Sequence, residues 1–290
     1  MSGSDVTLIA GQDLNNAGTL RATHNLSASA TQDLTNSGLI EAGNRLDLLA
    51  GNNIINKSGG VIAGRDVTLK AVTGDVINER TVTTADFSNK GYTQQRDYLD
   101  SAARIEAAND LTIGAGRDVL NTGGVITSGR DTDIEAGRDI NIVSAEQQSS
   151  DTGGKQKSSV TQFGSSINAG RDITMSAGRD MNIVASEITA KRNIDLAVEG
   201  DMTIASGADE SHSYYKTKKV TAQEDHVKQI ASTITAGGNV AMSAGNDMAV
   251  NYFFAGSKSS VFNIPLKPRA STCPWRSICV NKACVFFSRE

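Results

Sequence analysis

Apolar and polar residues alternate in short runs along most of the chain. In one of these runs Ile173, Met175 and Ala177 alternate with threonine and serine. A period of two residues predicts a β-strand with one buried face, because successive side chains of a strand point to opposite sides of the sheet. The three- and four-residue spacing of an amphipathic helix is absent from the runs, so the pattern predicts an all-β protein.

The strands recur at an interval that a repeated phrase sets. The phrase is Ala-Gly-Arg-Asp followed by an apolar, a polar and an apolar residue, and its aspartate marks the same position in each copy. Successive copies of this position are separated alternately by a short step of 8 or 9 residues and a long step of 12 or 13 residues. One example is the short step from Asp172 to Asp180 and the long step from there to Asn193. The two steps together make a repeat of about 20–22 residues, and a fixed period of this length indicates a solenoid.

Each repeat contains three short strands. The long step carries a second apolar pair, such as Val125 and Ile126 after residues 121–124. Corners of Gly, Asn and Asp separate the strands, since Gly supplies positive φ and Asp or Asn can hydrogen-bond the backbone of its own turn. One coil alone cannot bury enough apolar surface to offset its loss of backbone entropy. We therefore predict about nine triangular coils stacked into a parallel β-helix.

The alternation of short and long steps is interrupted three times by extra residues, and each interruption replaces a long step. The interruptions lie between Asp75 and Asp110, between Asp139 and Asp172, and between Asp201 and Asn239. Because all three have the same phase, we expect them to leave the β-helix from one edge and to form a row, about 10 Å apart along the axis. The predicted organisation is a β-helix over residues 1–255, with insertions at about 79–107, 143–167 and 205–235.

The composition of the insertions predicts their local structure and their role. The middle one contains a hairpin turn at residues 151–154, and the first includes a short helix from Leu99 to Ile105. Solenoids often carry binding residues on insertions that share one face. We predict that the aromatic and basic residues of the insertions bind a partner, namely Phe87, Tyr92, Tyr98, Phe163, Tyr214, Tyr215, Lys216, Lys218 and Lys219.

A simpler interpretation of these residues stays open. Only 4% of the chain is aromatic, and none of its 13 aromatic residues lies in a regular coil. A narrow prism has little room for rings, so the rings could serve only to pack the insertions onto the prism. The lysines would then form an ordinary solvated face.

The repeated phrases resemble the haemagglutinin repeats of the filamentous haemagglutinin and contact-dependent inhibition exoprotein family. The resemblance rests on Ala-Gly-Arg-Asp-Ile-Asn-Ile at residues 136–142 and its copies, on Gly-Gly-Val-Ile at 123–126, on residues 76–81 before a long insertion, and on Ser-His-Ser-Tyr-Tyr at 211–215. It extends over about residues 5–253. Single phrases would be weak evidence, but phased copies with matching insertions are specific.

The resemblance implies a right-handed parallel β-helix that is secreted or displayed at the cell surface. It also implies export through an outer-membrane transporter and attachment to a protein or glycan receptor on a host or neighbouring cell. A rival implication is the stalk of a contact-dependent toxin. The chain starts within a repeat and carries neither the family's secretion domain nor a toxin module. We therefore expect a segment of a longer protein, with further coils at both ends.

Enzymatic and metal chemistry is not expected. The aspartates of the phrase recur at almost every corner, frequently beside arginine, which favours corner capping over a catalytic pair or a calcium site. A polysaccharide-active enzyme is thus the weakest alternative. His24, His212 and His226 are interpreted as surface residues without metal-ligand spacing. We predict no cofactor, and a net charge of −4 with scattered basic residues disfavours nucleic acid as a partner.

The end of the chain differs from the rest. Residues 256–290 contain all three prolines and all three cysteines but no copy of the phrase. The cysteines lack the spacing of a zinc site. We interpret this tail as an out-of-frame or disordered sequence, with a cap or the start of another domain as alternatives. The N-terminus has no signal peptide, and no segment is apolar enough to span a bilayer.

Overall fold

The computed structural model describes residues 1–153, 155–251, 253–256, 259–263, 279–280 and 283–284. These residues form strands and turns, and no helix occurs among them. Three parallel sheets enclose a prism, and the chain passes through them in the same order in every coil. The predicted right-handed parallel β-helix is confirmed.

A short first strand, β1 (Ser2–Gly3), precedes nine complete coils. Coils 1 to 3 consist of β2 (Val6–Ala10), β3 (Leu14–Asn16), β4 (Thr19–Ala22), β5 (Leu26–Ala30), β6 (Leu34–Asn36), β7 (Leu39–Ala42), β8 (Arg45–Ala50), β9 (Ile54–Asn56) and β10 (Val61–Gly64). Coils 4 to 6 consist of β11 (Asp66–Ala71), β12 (Val76–Glu79), β13 (Val82–Asn89), β14 (Tyr92–Leu99), β15 (Arg104–Ala107), β16 (Leu111–Ala115), β17 (Val119–Thr122), β18 (Val125–Ser128), β19 (Thr132–Ala136), β20 (Ile140–Val143), β21 (Ala145–Thr152), β22 (Lys155–Phe163) and β23 (Ser166–Ala169).

Coils 7 to 9 complete the prism. They consist of β24 (Ile173–Ala177), β25 (Met181–Val184), β26 (Glu187–Ala190), β27 (Ile194–Val198), β28 (Met202–Ala205), β29 (Gly207–Lys216), β30 (Thr221–Ile230), β31 (Ser232–Ala236), β32 (Asn239–Ala244), β33 (Met248–Val250) and β34 (Phe253–Gly256). The chain continues with β35 (Ser259–Asn263), β36 (Cys279–Val280) and β37 (Ala283–Cys284).

Strands from successive coils pair in parallel to form the three sheets. Sheet A has the order β1-β4-β7-β10-β15-β18-β23-β26-β31-β34, sheet B the order β2-β5-β8-β11-β16-β19-β24-β27-β32-β35, and sheet C the order β3-β6-β9-β12-β17-β20-β25-β28-β33. Strands β34 and β35 thus extend sheets A and B beyond residue 255, where the tail was predicted to begin. Apart from Gly256, β35, β36 and β37, the predicted tail lies outside the described residues.

The core consists of columns of identical or similar aliphatic side chains. Register places each inward residue directly above its counterpart in the preceding coil. One column of sheet A is isoleucine in seven successive coils, each at most 1% exposed: Ile40, Ile62, Ile105, Ile126, Ile167, Ile188 and Ile234. No aromatic ring lies among the buried residues of the stretch from 1 to 251. Because equivalent side chains of successive coils stack on one another, the apolar pattern repeats closely from coil to coil.

The glycine of the repeated phrase is required for close stacking rather than for its backbone angle. A Cβ at Gly170 would lie 1.9 Å from the carbonyl oxygen of Gly129 in the preceding coil, a distance that no side chain tolerates. Within the described chain, positive φ occurs at only three glycines, Gly59, Gly91 and Gly123, and none of them belongs to the phrase. Our expectation of positive φ at the corner glycines is thus confirmed at Gly59 and Gly123 and was wrong for the glycine of the phrase.

A ladder of buried asparagines lines the corner between sheets C and A in the first coils. Asn16, Asn36, Asn56, Asn78 and Asn121 stack in register, and each amide Nδ2 donates to the Oδ1 of the next at 2.7–2.9 Å. All five are at most 7% exposed. In later coils the same position of sheet C is Ile142, Ile183 or Ile204. The sequence analysis did not identify this ladder.

The aspartates of the phrase form ladders at the other two corners. Between sheets B and C, the Asp118 carboxylate accepts from Arg138 Nε at 2.9 Å and from the backbone N–H of Asp139 at 3.1 Å. Arg117 pairs in the same way with Asp75, and Arg179 with Asp139. Corner capping is thus confirmed, since each carboxylate receives the arginine and the backbone amide of the next coil.

Acid is expected to weaken this ladder at Asp75. Hydrogen bonding from Arg117 lowers the pKa of Asp75 below its ordinary 3.8, helped by the charges of Arg117 and Arg138 and opposed by burial. A depressed folded-state pKa means that the stabilisation is present above pH 3.8 and is lost as the pH falls through the folded pKa. Urea unfolding should therefore show Asp75→Asn to be less stable than the parent at pH 6, with a smaller difference at pH 3. The exposed Asp86→Asn is the control, and an equal difference at both pH values would contradict the assignment.

Candidate binding surface

The three insertions leave the prism at one corner. Hairpin 1 (β13 and β14), hairpin 2 (β21 and β22) and hairpin 3 (β29 and β30) each follow a strand of sheet C and precede a strand of sheet A. The predicted common edge is confirmed. The predicted helix from Leu99 to Ile105 was wrong, because Leu99 ends strand β14, whereas Ile105 is buried in sheet A. Leu99 pairs with β13 and Ile105 pairs with β10 of coil 3, so both ends of this segment are extended strands.

The hairpins form a single antiparallel sheet, which we call the insertion sheet. Its order is β13-β14-β21-β22-β29-β30. Strand β14 pairs with β21 through residues such as Arg96 and Ser149, and β22 pairs with β29 through residues such as Val160 and Glu210. Two coils occupy about 10 Å of the axis, which is also the width of a two-stranded hairpin. Insertions at every second coil are therefore spaced so that neighbouring hairpins can pair.

Small buried side chains fix the roots of the hairpins to the prism. Ser165 Oγ lies 2.7 Å from the carbonyl oxygens of both Asn121 and Val143, and Ser232 Oγ hydrogen-bonds the carbonyl oxygen of Ala205. The guanidinium of Arg80 lies over the ring of Phe163, 5.4 Å from its centroid. These contacts explain why each hairpin projects from a defined point of the corner.

A cluster around Asp151 joins hairpin 2 to hairpin 1. Its carboxylate accepts two hydrogen bonds from Arg96 Nη2 at 2.8 and 2.9 Å, one from Gln94 at 3.1 Å and one from the hydroxyl of Tyr92 at 3.2 Å. Hydrogen bonding from Arg96 holds the pKa of Asp151 below its usual range. Sequence reasoning placed Asp151 in a turn but could not identify its partners, which are more than 50 residues away.

Five of the six predicted aromatic residues share one face of the insertion sheet. Alternation along the paired strands places them together on what we call the aromatic face: Phe87, Tyr92, Tyr98, Phe163 and Tyr215. Phe87 and Tyr98 are 54% and 61% exposed, whereas Phe163 is half-buried against Arg80. Packing of the insertions onto the prism therefore accounts for the position of Phe163, but it does not explain the exposed rings.

The opposite face, which we call the histidine face, is more polar and holds Tyr214. His212 Nδ1 lies 2.9 Å from Asp225 Oδ1, and its Nε2 lies 3.5 Å from Glu210. Hydrogen bonds to Asp225 and Glu210 raise the pKa of His212. Antiparallel pairing with β30 brings Asp225 to the imidazole, a proximity that the sequence spacing did not suggest, whereas Glu210 lies two residues before His212 on the same strand. His212 and Asp225 line a shallow depression of about 380 Å³ with Tyr214 and Gln223.

The far end of the insertion sheet is lined with lysine. Six exposed lysines lie in or near the three hairpin turns, and we call them the tip lysines: Lys90, Lys155, Lys157, Lys216, Lys218 and Lys219. Among the described residues none of them forms an ion pair, whereas the arginines of the prism pair repeatedly with its aspartates. The predicted Lys216, Lys218 and Lys219 thus belong to a larger group of basic side chains that hairpins 1 and 2 complete.

The described residues hold no group of three or more histidine, cysteine, aspartate or glutamate side chains arranged to bind a metal ion. The same part of the chain has no helix that could cross a membrane. The phrase aspartates, which a polysaccharide-active enzyme would need in a groove, are instead engaged in the corner ladders.

Two family models match the chain. One, described as a haemagglutinin repeat, matches residues 1–50 and 21–91, and the other, described as a hemagglutinin repeat, matches residues 84–161 and 153–223. The first spans coils 1 to 3 and runs into hairpin 1, and the second spans most of the region in which the hairpins occur. No curated protein matches the chain, and no solved structure does.

Proposed function

Because this chain belongs to the haemagglutinin repeat family of filamentous haemagglutinin-type exoproteins, we propose that its insertion sheet attaches the protein to acidic glycans on a cell surface. The family membership supports the coarser role, an adhesin-like segment of a secreted or surface protein. The prism supplies a rigid support in this proposal, and the hairpins supply the contacts.

The tip lysines are the observation on which the proposal depends. A lysine that forms no ion pair leaves its positive charge available to carboxylate or sulfate groups on a partner. Six strands spaced by about 4.8 Å spread these charges over roughly 24 Å, enough for several sugar units. The exposed rings of Phe87, Tyr98 and Tyr215 lie on the aromatic face of the same sheet, where they offer flat apolar surfaces against which a sugar ring can stack.

Charge reversal at hairpin 3 tests the proposal. The triple variant Lys216→Glu, Lys218→Glu, Lys219→Glu is expected to lower the affinity for immobilised carboxylated or sulfated glycans, and the adherence to cells, by more than about tenfold at low salt. The measurements are surface plasmon resonance on glycans and fluorescence adherence of the purified chain to cells.

A matched control exists on the prism. Arg45→Glu, Lys70→Glu and Lys191→Glu make the same change of net charge on sheet B and at its corner with sheet A, away from the insertion sheet, and should leave binding nearly unchanged. Equal losses of affinity in the two triple variants would show that the effect comes from net charge alone. Unchanged glycan binding and cell adherence of the hairpin 3 variant would contradict the proposed function.

The stalk of a contact-dependent toxin is the second candidate, and the regular prism favours it. Nine coils make a rod of about 43 Å whose cross-section hardly changes along the axis. Under either function the longer protein would be exported through an outer-membrane transporter, as the family resemblance implies. A full-length parent that inhibits neighbouring cells equally well with and without the tip lysines would favour the stalk.

A further inference from the structure

Strand β13 is an exposed and unprotected edge of the insertion sheet. All eight of its residues are exposed, and within the described chain it pairs only with β14. It contains a single charged residue, Asp86, and has no lysine, glycine or proline, whereas valine, threonine and phenylalanine favour a strand. Every other residue of this edge directs its backbone N–H and C=O groups away from β14. Such an edge is a template for another strand.

The opposite edge of the sheet is different. Strand β30 carries Glu224, Asp225, His226 and Lys228 among its ten residues. Charged side chains along an edge disfavour the addition of a further strand, because a partner must match or desolvate each of them. Of the two edges, β13 is therefore the one suited to accept a partner.

The insertion sheet itself contains two examples of the required interface. Strand β21 pairs along the edge of hairpin 1, and strand β29 pairs along the edge of hairpin 2. In both pairs the strands are antiparallel, one running towards the prism and the other away from it. Since β13 runs away from the prism, the next strand outside it would run towards the prism, as β22 and β30 do.

The prism leaves space for an additional strand beside β13. Coils 1 to 3 close the same corner with short turns at residues 17–18, 37–38 and 57–60, without a hairpin. Three coils amount to about 14 Å, the width of nearly three strands. The turn of coil 3 supports the base of the edge, since the backbone N–H of Ser58 donates to Thr81 Oγ1 at 3.0 Å.

Strand β30 of a second copy does not fit this space. If β30 of another molecule paired with β13 in the required direction, its coils 8 and 9 would occupy the positions of coils 2 and 3. An extended segment that is not held by a prism of its own meets no such obstacle.

We propose that β13 is an acceptor edge for an extended segment of another polypeptide, which adds a seventh strand to the insertion sheet with a basic residue opposite Asp86. Backbone hydrogen bonds would supply most of the affinity, and side chains would select the partner. Opposite Ala85 and Phe87, on the aromatic face, small or β-branched side chains fit best.

A synthetic strand tests the proposal with the full chain. The probe is a fluorescein-labelled ten-residue peptide that alternates threonine and valine and has one central lysine, and its binding is followed by fluorescence anisotropy. We expect saturable binding that is abolished when every amide of the peptide is N-methylated, because such a strand cannot donate hydrogen bonds. The variant Asp86→Lys should weaken the binding about tenfold, since it replaces an opposite-charge pair with a like-charge pair.

The matched control is Glu224→Lys, which makes the same change on β30 and should leave the affinity unchanged. Three results would overturn the proposal: no saturable binding to the parent chain, equal binding of the N-methylated peptide, or an equal loss in the two lysine variants. A concentration-dependent dimer of the chain that Asp86→Lys abolishes would assign the edge to a second copy and overturn it too.

Discussion

Replacing Asn56 with alanine is expected to lower the free energy of unfolding by about 3–5 kcal/mol. Asn56 lies in the middle of the buried ladder, where its Oδ1 accepts from Asn36 and its Nδ2 donates to Asn78 at 2.9 Å. The two N–H groups of the same amide also share the carbonyl oxygens of Gly60 and Arg104 as acceptors, both 3.0 Å from Nδ2, so one hydrogen bond is three-centred. Alanine removes all four contacts at a site that is 1% exposed, so water cannot readily replace them.

The prism also contains a suitable control. Asn182 Nδ2 donates to Asn141 Oδ1 at 2.9 Å, the same contact between coils, but on the outward side of sheet C where water is available. Asn182→Ala should therefore cost less than about 1 kcal/mol. Urea unfolding followed by circular dichroism measures both variants. Equal losses would show that burial of the ladder adds nothing to its stability.

Removing hairpin 2 is expected to disorder hairpins 1 and 3 while the prism stays folded. Residues 144–165 would be replaced by Gly-Gly, the pair that closes the same corner between β17 and β18 in coil 5. Hairpin 1 then loses the Arg96–Asp151 contact, and hairpin 3 loses its pairing with β22. An isolated two-stranded hairpin is marginally stable in water. Amide hydrogen exchange should therefore become at least about tenfold faster in β13, β14, β29 and β30, and should stay slow in sheets A and B.

Removing hairpin 3 instead is the control for this prediction. Without residues 206–231, strands β13, β14, β21 and β22 can still form a four-stranded sheet, so exchange in hairpin 1 should change little. Continued protection of hairpins 1 and 3 after the loss of hairpin 2 would mean that each hairpin is stable by itself on the prism.

The predicted site could be located from the sequence, but its geometry could not. The phase of the interruptions showed that Tyr92, Asp151 and Tyr215 lie on insertions from one corner. Which residues share a face depends on the antiparallel register between hairpins that are tens of residues apart in the chain. That register brought Asp151 to Arg96 and His212 to Asp225. The role of the predicted aromatic and basic residues in binding stays a prediction.

The sequence by itself determined the coil, its period, the number of coils and the corner from which the insertions leave. It could do so because a β-helix stacks equivalent residues on one another, so that the local alternation of Ile173 and Met175 is also the tertiary pattern. The tertiary structure alone decided that the three hairpins become one sheet, that Leu99 belongs to a strand, and that five asparagines form a buried ladder. These features depend on distances between coils and between hairpins, which are set by the 4.8 Å spacing of stacked strands and not by neighbours in the chain.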